Sequence, residues 1–197
     1  MDTLVLHLAL VIKPAVACAR TVMGDVDHTL PYLKNWKSIT FDFVKQRVYI
    51  DTSVVGGYFD EEFKEVTIQL FQRWESGELV FVISDLLDLE LLNAPDRVKN
   101  LLGNYPVENF ERIEFSQEAD SLAKDYIDAG VVGKTSLEDC RHIALASIHK
   151  VDVLASWNFK HIVNLDRIKG YNSVNLRLGY AMLEIRSPKD LINYGDE

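Results

Sequence analysis

The chain has 197 residues, 48% hydrophobic and 26% charged, enough for one folded domain with a sizeable core and room for an appendage. Its two cysteines, Cys18 and Cys140, are too few for a disulfide framework and match no zinc spacing, which suits a reducing compartment. A net charge of -9 argues against a general DNA coater or a basic membrane binder; it leaves room for a nuclease, whose carboxylates count as negative only until metal ions bind.

Residues 1–46 read as an N-terminal extension. Leu4 to Val16 is apolar but broken by His7, Lys13 and Pro14, and too short to span a bilayer. Ala15-Val16-Ala17-Cys18-Ala19 has the small-residue look of a signal-peptidase site, yet the chain opens on an acid where a signal peptide needs basic residues. The reading adopted is a loosely ordered extension, with a signal peptide as the minority alternative.

From residue 47 the pattern turns regular. Val48-Tyr49-Ile50 lacks polar alternation, as in a strand buried on both faces of a parallel sheet, and Asp51 comes where that strand would stop. Asp60 to Ser76 predicts an amphipathic helix closed by Gly77, and Leu79 to Ile83 a second strand. Ser84 or Asp85 caps a helix to about Leu92, before Pro95; a shorter helix covers Asp96 to Leu102, and Arg112 to Phe115 is a third strand. Ser116 opens a helix through Ala129, and Ser136 opens another to about Lys150. Val151 to Ser156 is the fourth strand, Phe159 to Tyr171 is partly helical, and Leu183 to Ile185 is a last strand before a helix with Pro188 at its first position. Such alternation means a parallel sheet covered on both faces.

Three acids and one amide recur at comparable places. Asp51 follows the first strand, Glu90 lies in the helix after the second, Asp139 opens the helix before the fourth, and Asn158 follows the fourth. Parallel strands put their carboxyl ends on one edge, where ligands of open α/β sheets bind. Each acid also has a plain reading. Asp51 can cap a helix turn, Asp139 can complete a capping box with Ser136, and Glu90 can face solvent beside Asp88. Glu90 is the most telling, since five leucines surround it and no basic residue is near in sequence. Three acids without basic partners are better explained by a shared hard cation, Mg²⁺ or Mn²⁺, and without one they should raise one another's pKa. Thr52 and Ser53 stand where they can bond a phosphate oxygen. Trp157 and Phe159 can stack on an unpaired base, although core packing is the commoner fate of such aromatics. His142, three residues past Asp139, has a metal-like spacing but reads first as structural.

The segments Val-Tyr-Ile-Asp51-Thr-Ser, Ile-Ser84-Asp-Leu-Leu-Asp-Leu-Glu90-Leu, Leu-Glu-Asp139-Cys-Arg-His-Ile-Ala-Leu-Ala and Asp152-Val-Leu-Ala-Ser-Trp-Asn158, with the closing Ile185-Arg-Ser-Pro188, together resemble the motifs of the PIN-domain nuclease family. Within it the chain looks most like the toxin ribonucleases of bacterial toxin–antitoxin pairs. The resemblance implies a Rossmann-like three-layer α/β/α sandwich over 47–197 with a mainly parallel sheet. It implies Mg²⁺- or Mn²⁺-dependent cleavage of RNA phosphodiesters in the cytoplasm, a homodimer, and inhibition by a cognate antitoxin. Carried over by position, Asp51, Glu90 and Asp139 are the catalytic acids and metal ligands. Asn158 falls where the family has a fourth acid, so a second metal should bind more weakly. The alternative is a catalytically reduced module that binds RNA or protein without cutting. An unrelated flavodoxin-like module is disfavoured, because no Gly-rich phosphate loop follows any strand.

Overall fold

The computed structural model describes residues 45–192, so the expected extension at 1–46 lies outside the described residues but for its last two. Strand β1, Gln46–Ile50, sits at the centre of a five-stranded sheet. Its companions are β2 at Leu79–Ser84, β3 at Phe110–Ile113, β4 at Val153–Ala155 and β5 at Ile185–Arg186. The order is β3-β2-β1-β4-β5, with every pairing parallel. The chain therefore winds outward from β1 to one edge, returns, and winds to the other.

Helices cover both faces. On one lie α1 (Thr52–Gly57), α2 (Lys64–Glu75), much of α3 (Asp85–Leu91), and α8 (Pro188–Ile192). On the other lie α5 (Gln117–Asp128), α6 (Leu137–Ile148) and α7 (Leu165–Leu178). The lack of polar alternation in β1 follows: Val48 and Ile50 enter the first core and Tyr49 the second, all fully buried. The first core is aromatic, with Trp74 stacked on Phe81 at 4.9 Å between centroids. The second admits Ala144 and Ala146, which let α6 lie close to the sheet.

Several boundaries differ from expectation, each for a local reason. A short helix, α1, directly follows β1, because the Asp51 carboxylate accepts the Val54 amide at 3.2 Å and caps it. The next helix starts at Lys64 rather than Asp60. The short helix at Asp96–Lys99, α4, gives way to a 3₁₀ turn at Leu102–Asn104. β3 begins two residues earlier than Arg112 because its register with β2 runs from Phe81↔Phe110 to Ser84↔Ile113. The segment after β4 is a loop to Asn164, whose side chain accepts the amides of Asp166 and Arg167 and so starts α7 there. That helix runs on to Gly179, whose φ of +86° suits glycine at a helix end. No helix among the described residues is long and apolar enough to cross a membrane.

Candidate functional site

The strand order reverses between β1 and β4, and in a doubly wound sheet the crevice at the carboxyl ends of those two strands is the ligand position. Asp51 leaves β1 there and Ser156 leaves β4 level with it, since the register pairs Ile50 with Ala155. The Ser156 hydroxyl donates to Asp51 Oδ2 at 2.6 Å, and the Ser53 hydroxyl donates to Oδ1 at 2.5 Å. Those two oxygens accept in turn. Ser53 Oγ takes the Trp157 amide at 2.8 Å, and Ser156 Oγ takes the Asn158 amide at 2.9 Å. Asp51 is thus 4% exposed but met by hydroxyls and amides alone. Burial pushes its carboxyl above the ordinary value, against the opposing pull of His142, the two serines and the Val54 amide. The upward shift expected for one acid is present at Asp51, but its cause is burial rather than crowding by Glu90 or Asp139.

Glu90 arrives from α3, which starts because Ser84, at the end of β2, caps it by accepting the Leu87 amide at 3.2 Å. Its Oε2 takes the Thr52 hydroxyl and, at 3.1 Å, meets His142 Nε2 from α6. Burial raises the Glu90 carboxyl, but the hydrogen bond from His142, its charge when protonated, and Thr52 outweigh that, so it stands below the usual range. Glu90 therefore has the basic partner that its sequence neighbourhood lacks.

Asp139 sits in the first turn of α6, where Ser136 makes no side-chain cap, so the capping-box reading is not realised. Its Oδ1 accepts Asn158 Nδ2 at 2.9 Å and its Oδ2 lies 2.9 Å from His161 Nδ1. Asn158 Oδ1 accepts the His161 amide at 3.0 Å, which fixes the orientation of the amide group and turns its nitrogen towards Asp139. The oxygen expected to face a cation is instead engaged by backbone.

One connected set of hydrogen bonds and adjoining backbone therefore links Glu90, Thr52, Asp51, Ser156, Asn158 and Asp139 along the carboxyl edge. Among the described residues, however, no group of three or more His, Cys, Asp or Glu side chains is gathered so that it could hold a metal ion. The donor chemistry fits Mg²⁺ or Mn²⁺, being hard carboxylate oxygens from separate elements at one crevice. Closing them on one ion requires some of their present hydrogen bonds to be exchanged.

Trp157 requires a correction. It is 8% exposed, stacks on Phe63 at 4.4 Å, and donates Nε1–H to Thr67 at 3.0 Å, so it packs in the core rather than offering a face to a base. Gly57 makes this possible, because a Cβ there would stand 2.7 Å from the indole. Phe159, 49% exposed, is the aromatic beside the site. Thr52 and Ser53 hold the carboxylates of Glu90 and Asp51. Sequence reasoning missed His161 entirely. Its signal is the spacing Asn158-Phe159-Lys160-His161, in which an Asn side chain can catch an amide three residues on.

No protein-family model and no curated protein sequence matches the chain. Solved structures resemble it in fold. VapBC2 from Rickettsia felis bound to a DNA fragment from its promoter aligns at TM-score 0.45 and 10% identity, over 72% of this chain and 98% of that one. FitAB bound to an IR36 DNA fragment aligns at TM-score 0.47 and 13% identity, over 72% and 94%. FitAcB from Neisseria gonorrhoeae aligns at TM-score 0.47 and 13% identity, over 72% and 98%. At this distance the likeness is one of fold and carries nothing about chemistry.

Proposed function

We propose that the chain is a Mg²⁺- or Mn²⁺-dependent endoribonuclease of the PIN type, acting as the toxin of a toxin–antitoxin pair. The observation that supports this most is the place of Asp51, buried at the switch point of the sheet and linked to Glu90, Asn158 and Asp139. The ordered motifs that resemble the PIN nucleases fall on those same residues. Asp51, Glu90 and Asp139 would hold the cation, with Asn158 beside them. When bound, the ion supplies Lewis-acid polarisation of the phosphate and of the attacking water.

The chain's own residues do the rest. Ser53 and Ser156 keep the Asp51 carboxylate fixed at the floor of the crevice, and Thr52, the next residue, donates to Glu90. Phe159 offers a stacking face to an unpaired base at the rim. A cytoplasmic homodimer held in check by an antitoxin belongs to the same reading.

The test is direct. Incubation with an unstructured RNA in millimolar Mg²⁺ or Mn²⁺ should give internal cuts that EDTA and Asp51→Asn both abolish. The second reading, an RNA- or protein-binding module with reduced catalysis, is favoured by the lack of three gathered donors among the described residues. RNA retained without cleavage in either metal would select it.

A further inference from the structure

Beneath the crevice runs a chain of polar groups that the nuclease reading does not use. Tyr49, fully buried in β1, places its hydroxyl 2.8 Å from Ser84 Oγ and 2.7 Å from His142 Nδ1. His142, 3% exposed on α6, reaches on to Glu90 Oε2 through Nε2. Four elements, β1, β2, α3 and α6, thus meet through this one set of side chains.

The direction of the protons follows from what each group can donate. Glu90 Oε2 is the acceptor of the Thr52 hydroxyl and a carboxylate oxygen only accepts, so the proton of this contact is on His142 Nε2. Ser84 Oγ already accepts the Leu87 amide, and its other neighbour is the Tyr49 oxygen, so its own hydrogen goes there. Tyr49 then donates to Nδ1. The reverse direction, with a proton on Nδ1, would leave the buried Ser84 hydroxyl hydrogen without an acceptor, which costs about 1–3 kcal/mol.

We infer that Tyr49 and His142 are positioning residues for Glu90: the relay Ser84→Tyr49→His142→Glu90 locks the histidine as its neutral Nε2–H tautomer and pins Oε2. With Thr52 and His142 both on Oε2, Glu90 Oε1 takes no hydrogen bond from any described residue and is the oxygen left to meet a cation. A metal-site carboxylate held from behind by such an outer partner typically loses about 10-fold or more in metal affinity when the partner goes. The tautomer part stands on geometry alone; the consequence for metal rests on the proposed nuclease reading.

The experiment uses the full chain labelled with ¹⁵N, without RNA. Long-range ¹H–¹⁵N spectra at neutral pH should show His142 as a single Nε2–H tautomer. In Tyr49→Phe the pattern should collapse to a tautomer mixture while the far-ultraviolet spectrum stays native. The Mg²⁺ concentration that half-saturates the thermal shift should rise about 10-fold. An Nδ1–H tautomer or an imidazolium in the wild type overturns the relay, and needs no variant to fold. An unchanged pattern in a folded Tyr49→Phe does so too. If the tautomer behaves as stated while wild type neither responds to Mg²⁺ nor cuts RNA, the relay stands and the nuclease reading alone falls.

Discussion

At Asp51 the carboxylate is buried and met only by hydroxyls and one amide, whereas at Asp139 it stands partly exposed between an amide and an imidazole. Between them Glu90 is held by a threonine and a histidine. The same chemical group is thus held in three ways at one edge. The strand-borne acid is fixed by its own loop and by the neighbouring strand, so little can turn it. The helix-borne acids depend on side chains from other elements, Glu90 on a pinned pair of partners and Asp139 on two partly exposed ones. A cation drawing this set together would move Asp139 towards Asp51 rather than the reverse.

The largest expected effect is on Asp51. Asp51→Asn keeps an acceptor for one serine and turns an amide donor to the other, while it removes the charge, so cleavage should fall by about 100-fold or more with the melting temperature changing little. A large loss of stability with residual cleavage would break the contrast, making Asp51 a structural residue first. Gly57→Ala tests the packing that fixes this end. Driving a methyl 2.7 Å from Trp157 should cost about 1–3 kcal/mol, read in denaturant unfolding.

At the other end, Asn158→Asp would set a second carboxylate within hydrogen-bond reach of Asp139 in place of the amide donor. Stability without metal should drop by about 1–2 kcal/mol, and millimolar Mg²⁺ should restore it if the acids share a cation. Restoration by monovalent salt alone would show screening instead.

The smallest effect is one of sign with pH. Asp51 is raised by burial, so its charge opposes folding above its folded pKa, and the penalty fades as pH falls through that value. Glu90 is lowered, so it stabilises above its unfolded pKa and that contribution is lost as pH falls through the folded one. At neutral pH Asp51→Asn should be at least as stable as wild type and Glu90→Gln less so, with both differences shrinking on acidification. Differences of the same sign would show that the two carboxylates are not held differently.

Much of this was legible in the sequence because it is local. The strand that ends in Asp51, the Ser84 and Ser116 caps, and Gly77 past the end of its helix each depend on a few neighbours, whereas the run of α7 on to Gly179 was not foreseen. The places of Asp51, Glu90, Asp139 and Asn158 on their elements followed from the alternation of strands and helices. Their partners did not. Glu90 finds His142 across 52 positions, and Asp51 finds Ser156 across 105, through a sheet order that no short window reveals. His142 reads first as structural despite its metal-like spacing from Asp139, and the helix turns it to Glu90 and Tyr49. Trp157 is a candidate stacking residue because it flanks Asn158, while its place was decided by Gly57 and Phe63 from another segment.

The span between Asp51 and Ser156 also sets a clock on synthesis. During translation the acid at the end of β1 emerges first, and its closing partner follows 105 residues later. At ordinary elongation rates that is a delay of about 5–20 s, with β4 still to be inserted beside β1. Throughout it the nascent chain carries the first carboxylate and Ser53, but neither Ser156 nor the loop that carries Asn158. The crevice between β1 and β4 therefore exists only once the later half of the chain has been made.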